Sequence, residues 1–263
     1  MKIIFMGNSE IACPILNTVE KSKHKILSVV SNSPKALGRG LSQRLTPVGK
    51  LANDLDLKFL SADSLRNSEL IDTIKILQAD IFVVVAFRIL PRSFLSLSKM
   101  GAMNLHASLL PKYRGAAPIQ HALLNGDTQT GISTFLIDKD LDTGPILLQK
   151  EVPILPQDNF NTLSGKISNE GSSLILESLD LLEKNNHKLT PQLDKDVSYA
   201  PKILKKEMLI DWNQSASQIN NKVRALSYTG AFTFINGKRM KLYKTKVHEN
   251  SKPCKPGRIS IID

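Results

Sequence analysis

The chain has 263 residues, 41% hydrophobic and 22% charged, enough to bury one large core or two modest ones and too apolar for a disordered segment. The longest apolar run, Ile81–Phe87, is seven residues against the ~18 of a membrane helix, the start MKIIFMGNSE lacks an apolar signal core, and the two distant cysteines, Cys13 and Cys254, exclude a disulfide scaffold or a cysteine-based zinc site. The net charge of +11 is uneven: residues 1–200 hold 22 Lys/Arg against 20 Asp/Glu, whereas 201–263 hold 13 against 4, an asymmetry that points to a polyanionic partner, nucleic acid first and an anionic membrane surface second.

Lys2–Met6 reads as a strand, followed by helical spacing through Ile11, Ile15, Leu16 and Val19. Lys25–Val30 is a second strand, and 32–47 a loop rich in Ser, Gly, Pro and Arg. Helices are expected near Val48–Leu55 and Ser68–Leu77. Ile81–Ala86 (IFVVVA) has the continuous apolar character of a central parallel strand buried on both faces. Then come a strand at Met103–Leu105, a helix at Ala117–Leu124, strands at Gly131–Ile137 and Ile146–Ile154, and a long helix at Thr162–Glu183. This alternation predicts an α/β domain over 1–187, with a doubly wound, mostly parallel, Rossmann-like sheet. Residues 188–206 read as a polar linker. Over 207–263 a short helix (Ser215–Leu226) precedes strands at Ala231–Ile235, Arg239–Val247 and Gly257–Ile262, the first two joined as a hairpin by Asn236-Gly237.

The turn after the first strand, Gly7-Asn8-Ser9-Glu10, has one glycine and no G-x-G-x-x-G, and no Walker A sequence occurs, which argues against a dinucleotide or nucleoside triphosphate bound in the usual way. Asp138-Lys-Asp140-Leu-Asp142 starts like a calcium loop but has Thr143 and Gln149 where Gly and Glu are needed. No metal is expected. Asn104 and His106 lie two apart on a strand and so share a face at its carboxyl end, where open α/β sheets bind ligands. The acidic loop Asp138–Gly144 follows another strand. An amide, an imidazole and a carboxylate without a covalent nucleophile suit acyl transfer to an amine that the substrate brings: amide N–H groups stabilise the oxyanion and imidazole takes the proton. The spacing alone leaves open a purely structural alternative, in which Asn104 and His106 satisfy backbone groups of the next loop.

The run Asn104-Leu105-His106-Ala107-Ser108-Leu109-Leu110-Pro111-Lys112-Tyr113-Arg114-Gly115, followed by Asp142-Thr143-Gly144, resembles the signature of the folate-dependent formyltransferases. Gly115–Gln120, Gly38-Arg39-Gly40, Tyr199-Ala-Pro-Lys202 and Ile210-Asp211-Trp212 are similar to the branch that acts on aminoacyl-tRNA, and the resemblance covers nearly the whole chain. It implies transfer of a formyl group from 10-formyltetrahydrofolate to the amino group of initiator methionyl-tRNA, in the cytoplasm and by a monomer, with Asn104, His106 and Asp142 catalytic. It further implies a folate pocket at Ser108, Leu109, Leu110, Pro111, Phe87, Ile89, Leu90 and Asp138. Contacts to tRNA are implied for Arg39, with Lys35 and Arg44 beside it, and for Lys202, Lys205, Lys206, Lys238 and Arg239. The alternatives are another amine, such as a nucleotide sugar, or a catalytically silent RNA-binding relative. Two departures stand out. The loop Ala86–Pro91 is one residue shorter than the family's and lacks its Tyr-Gly pair. The C-terminal domain, expected to be an OB-like (oligonucleotide-binding) β-barrel, offers three strands where such a barrel has five, so an incomplete barrel, truncated or reduced, is expected.

Overall fold

In the computed structural model, which describes residues 1–37, 42–248 and 255–258, the organising element is β1 (Lys2–Gly7). Its side chains alternate between two apolar layers: Ile3 and Phe5 enter one, Ile4 and Met6 the other, all fully buried. There follow α1 (Cys13–Glu20), β2 (Lys25–Ser31), β3 (Lys35–Leu37), β4 (Ser42–Arg44), α2 (Pro47–Asp54), β5 (Phe59–Ser61), α3 (Ser68–Leu77), β6 (Ile81–Val85) and α4 (Arg92–Leu95). Next are β7 (Ala102–His106), α5 (Pro118–Asn125), β8 (Gln129–Leu136), β9 (Ile146–Pro153) and α6 (Phe160–Glu183). The last elements are α7 (Ala216–Ala225), β10 (Ala231–Ile235) and β11 (Lys238–Leu242).

The seven-stranded sheet runs β5-β2-β1-β6-β7-β8-β9, with β5 to β7 parallel and β8 and β9 added antiparallel. Helices α1, α2, α5 and α6 cover the layer of Ile3, Phe5, Val83 and Leu105, while α3 and α4 cover that of Ile4, Met6, Phe82 and Val84. The strand order reverses between β1 and β6, so the carboxyl ends of β1, β6 and β7 open a crevice together. Local chemistry sets the helix starts: Thr46 caps Gly49 N–H with Pro47 in the first turn, Asn67 caps Leu70 N–H, and Asn159 and Thr162 form a capping box.

The short pieces β3, β4, β5 and α4, three or four residues each, lie in segments where the sequence shows no period. At the C-terminal end the strand expected over Arg239–Val247 stops at Leu242. Of the strand expected over Gly257–Ile262, only Gly257 and Arg258 lie within the described residues, in a turn with Gly257 at φ 73°; residues 259–263 lie outside them. Among the described residues the C-terminal body is therefore a two-stranded antiparallel sheet, not a barrel. Asn236 and Gly237, at φ 48° and 74°, make its turn, and Ile210, Val223, Leu226 and Ala231 form its core. Residues 188–206, expected as a free linker, are tied to the sheet domain. Thr190 exchanges both backbone hydrogen bonds with Ile146, and Tyr199 bridges Arg114.

Helix α7 packs on α5 and carries Arg224 to the turn before α6, where its guanidinium donates to the carbonyls of Leu155, Pro156 and Asp158 at 3.0–3.4 Å. Burial pushes Asp158 up, but Lys166 Nζ at 2.5 Å, Leu155 N–H and the Thr162 hydroxyl prevail and hold its carboxyl below the ordinary value. Its stabilising contribution is therefore present above the unfolded carboxyl's range near pH 4 and is lost as pH falls through the depressed value. Arg224→Leu is expected to lower stability by about 2–3 kcal/mol in denaturant unfolding. Asp158→Asn is expected to flatten the acid limb of stability against pH, which thermal melts from pH 7 to 3 measure.

Candidate active site

Asn104 and His106 project from β7 on the face opposite Met103 and Leu105, which are in the core. His106 is buried and Asn104 half-buried, and among the described residues the Asn104 amide has no hydrogen-bond partner. After β7 the chain turns sharply. Ser108 Oγ donates to Lys112 O, while Ser133 Oγ donates to Ser108 O and accepts from Leu110 N–H, so β8 braces the turn from beneath. This delivers the Tyr113 carbonyl to His106 Nε2 at 2.8 Å. A carbonyl only accepts, so Nε2 carries the proton, and Nδ1 of the neutral ring presents a lone pair. That nitrogen faces Asp142 Oδ2 at 3.7 Å.

Tyr113 reaches this position with φ 60°, held by its hydroxyl, which donates to Asp127 Oδ2 at 2.6 Å and accepts from Asn125 Nδ2. Burial first, and Asp127 second, push the phenol up to about 12, so it stays a neutral donor. Asp142 is 8% exposed, has φ 55°, and accepts the Gly115 N–H on Oδ2 at 2.9 Å. Its turn is wedged by Gly144, where a Cβ would lie 1.8 Å from the Leu136 carbonyl oxygen. Gly115 is equally constrained: its φ is 125°, and a Cβ would lie 2.6 Å from the Ala200 carbonyl oxygen. Of the three residues, His106 and Asp142 lie 3.7 Å apart, and Asn104 shares the β7 face with His106. The Tyr113 carbonyl holds the ring at Nε2, a contact for which the sequence carries no signal because a backbone atom makes it.

The residues expected around a folate divide into two groups. Ser108, Leu110 and Leu90 are buried in the framework, Leu110 with Phe135 and Ile146, and Leu90 in the layer that holds Phe94. Phe87, Leu109 and Pro111 are half-buried, and Ile89 stands 74% exposed on the rim. Asp138 closes its own loop, accepting from Thr143 Oγ1 at 2.6 Å and Asp140 N–H. Arg88, unnoticed in the sequence, pins the 86–91 loop: it donates to the Ala62 and Asp63 carbonyls and to Asn32 Oδ1 and lies 5.5 Å from the Phe87 ring centre. Of the residues expected to meet tRNA, Arg39 lies outside the described residues. The Lys35 backbone pairs with that of Arg44 in the β3–β4 hairpin, and the Arg44 side chain is exposed. Lys202, Lys205, Lys206, Lys238 and Arg239 are all exposed, the last with its guanidinium 5.2 Å over the Phe232 ring. No helix among the described residues is long and apolar enough to cross a membrane.

Comparison with known proteins finds the formyl transferase family over residues 1–179 and the formyl transferase C-terminal domain over 202–263. The methionyl-tRNA formyltransferase of Geobacter sulfurreducens is 41% identical over 94% of this chain and 78% of its own length. That of Thermodesulfovibrio yellowstonii is 42% identical over 95% and 81%. Among solved structures, the sugar 3N-formyl transferase WlaRD superposes with a TM-score of 0.69 at 23% identity, over 93% of this chain and 85% of that one. HypX of Aquifex aeolicus, solved with tetrahydrofolic acid, gives 0.72 at 16% identity over 98% and 40%. These two likenesses concern the fold. The wedge at Gly144 is testable: Gly144→Ala is expected to cost about 2–4 kcal/mol in denaturant unfolding, whereas Gly165→Ala, inside α6 with nothing within 4 Å, is expected to be neutral or to stabilise by up to ~1 kcal/mol.

Proposed function

Because this chain belongs to the formyl transferase family, we propose a reading of its site that follows from that membership: it transfers a formyl group to the amino group of methionyl-tRNA. The family's donors are folate-derived; here the donor is 10-formyltetrahydrofolate, its reacting end over Asn104 and its ring system against the apolar rim of Phe87 and Ile89. The half-buried Asn104 amide, without a hydrogen-bond partner among the described residues, suits a donor whose formyl oxygen must be held and then stabilised as it gains charge.

The observation that carries the mechanism is the fixed tautomer of His106. With Nε2–H committed to the Tyr113 carbonyl, Nδ1 is the nitrogen free to act as base. The methionyl amine attacks the formyl carbon, the carbon–oxygen π pair moves onto oxygen, and the Asn104 N–H stabilises that oxyanion. His106 Nδ1 takes the proton the amine loses, and the imidazolium that forms faces the Asp142 carboxylate, already aligned by the Gly115 N–H. When the carbon–nitrogen bond to the folate breaks, the proton passes to the departing nitrogen, and His106 returns to its neutral form.

Cationic contacts to the acceptor tRNA come from Lys202, Lys205 and Lys206 at the end of the dividing segment 188–206 and from Lys238 and Arg239 in the C-terminal domain, with Arg39, Lys35 and Arg44 acting from the first loop. The two-stranded sheet of that domain is read as part of an incomplete OB-like barrel, and the working unit as a monomer binding initiator methionyl-tRNA. Phosphate neutralisation by these groups makes the affinity fall linearly with salt on a logarithmic plot.

The test is transfer of labelled formyl from 10-formyltetrahydrofolate to methionyl-tRNA. The wild type is expected to be active. His106→Ala is expected to lower kcat ~100–10,000-fold, and Asn104→Ala ~100–1,000-fold, with Asp142→Asn also impaired. Release of formate without tRNA, or formylation of a small amine while methionyl-tRNA stays unmodified, would overturn the reading. Lys238→Ala and Arg239→Ala should each raise the KM for tRNA and reduce its salt slope by about 1.

A further inference from the structure

Gln192 lies in the segment that sequence treats as linker, yet its carboxamide reaches both walls of the site. Its Nε2 donates to the carbonyls of Asp142 at 2.9 Å and Gly144 at 2.8 Å, gripping both ends of the turn that presents the Asp142 carboxylate. Its Oε1 accepts from Arg114 Nε at 2.9 Å, and Arg114 is 6% exposed. Arg114 sits between Tyr113, whose carbonyl takes His106 Nε2–H, and Gly115, whose N–H donates to Asp142 Oδ2. One amide thus joins the loops that carry the partners of both ring nitrogens of His106.

We propose that Gln192 is a positioning residue that sets the separation and alignment of His106 and Asp142. This rests on the reading of those two side chains as the proton-transfer pair. Three observations support it. Asp142 is a non-glycine residue at φ 55°, a conformation that persists only where the surroundings over-determine it, and the Gln192 amide holds the carbonyl of Asp142 itself and that of Gly144. Gln192 is itself held: Thr190 exchanges two backbone hydrogen bonds with Ile146 before it, and Ser198 and Ala200 bond the backbone of Arg114 after it. Finally, the pattern required is two N–H donors and one acceptor at the reach of a glutamine. A glutamate at neutral pH keeps the acceptor for Arg114 but turns lone pairs toward two carbonyls, and a methionine fills the volume with neither function.

The test uses the full chain with Gln192→Met and Gln192→Glu. Both are expected to lower kcat ~100-fold, the scale of a small misplacement of reacting groups, with the KM values for donor and tRNA within about twofold of wild type. In the Asp142→Asn background, Gln192→Met is expected to cost nothing more, because its effect passes through that carboxylate. The ring-nitrogen NMR signals of His106 are expected to shift in both variants without any substrate present. A folded variant whose His106 signals stay at the wild-type positions, or a Gln192→Met loss that adds in full to that of Asp142→Asn, would overturn the assignment, as would a change in KM alone. Gln192→Glu, which keeps the bond to Arg114, serves where Gln192→Met is poorly folded. The NMR readout is independent of the acceptor, so failure with methionyl-tRNA in the wild type counts against the function and not against this role of Gln192.

Discussion

A neutral imidazole with a carbonyl oxygen against one nitrogen has no freedom of tautomer, and that constraint governs the chemistry available to His106. The Tyr113 carbonyl fixes a proton on Nε2, and Nδ1 is left facing Asp142. Everything that holds Tyr113 then bears on the placing of His106: the Ser108 and Ser133 bonds that fold the loop, the phenol anchored on Asp127 and Asn125, and the Ser198 hydroxyl that accepts the Tyr113 N–H. All but the exposed Asn125 bond are at least partly buried, where an unpaired polar group is costly, and this favours one conformation of the loop.

The sheet topology explains why such a network forms there. Reversal of strand order between β1 and β6 opens the crevice, and β7 beside it carries Asn104 and His106 to its mouth. The antiparallel strands β8 and β9 close the far side, and the β8–β9 connection supplies Asp142. Parallel strands could not be joined by so short a link. The placing of the Asp142 carboxylate beside His106 therefore depends on the departure from all-parallel pairing.

The C-terminal elements are joined to this body at two places of different character. Packing of α7 on α5, with Arg224 on three carbonyls, is a stability seam away from the chemistry. The path of 190–200 runs instead along the loops that carry Tyr113 and Asp142, with Gln192, Ser198 and Ala200 all bonded to them. The surplus positive charge of 201–263 thus follows directly on a segment that is itself part of the support of the loops around His106 and Asp142.

Periodicity and composition by themselves determined the class of fold. The seven-residue apolar run at Ile81, the alternation of strands and helices, and the Asn236-Gly237 turn are local patterns, and local backbone sterics and side-chain alternation decide them. The expectation for Asn104, His106 and Asp142 came from a two-residue spacing on one strand and from resemblance to a family signature. Only the tertiary structure decided what surrounds the trio. Tyr113 acts through a carbonyl that every residue has, and Gln192 acts across 50 residues of separation from a segment whose polarity reads as linker. Arg88 and Arg114 look like ordinary surface cations until their partners, mostly backbone carbonyls and a distant amide, are in place. Such contacts pair groups that carry no pattern along the chain, so folding alone brings them together.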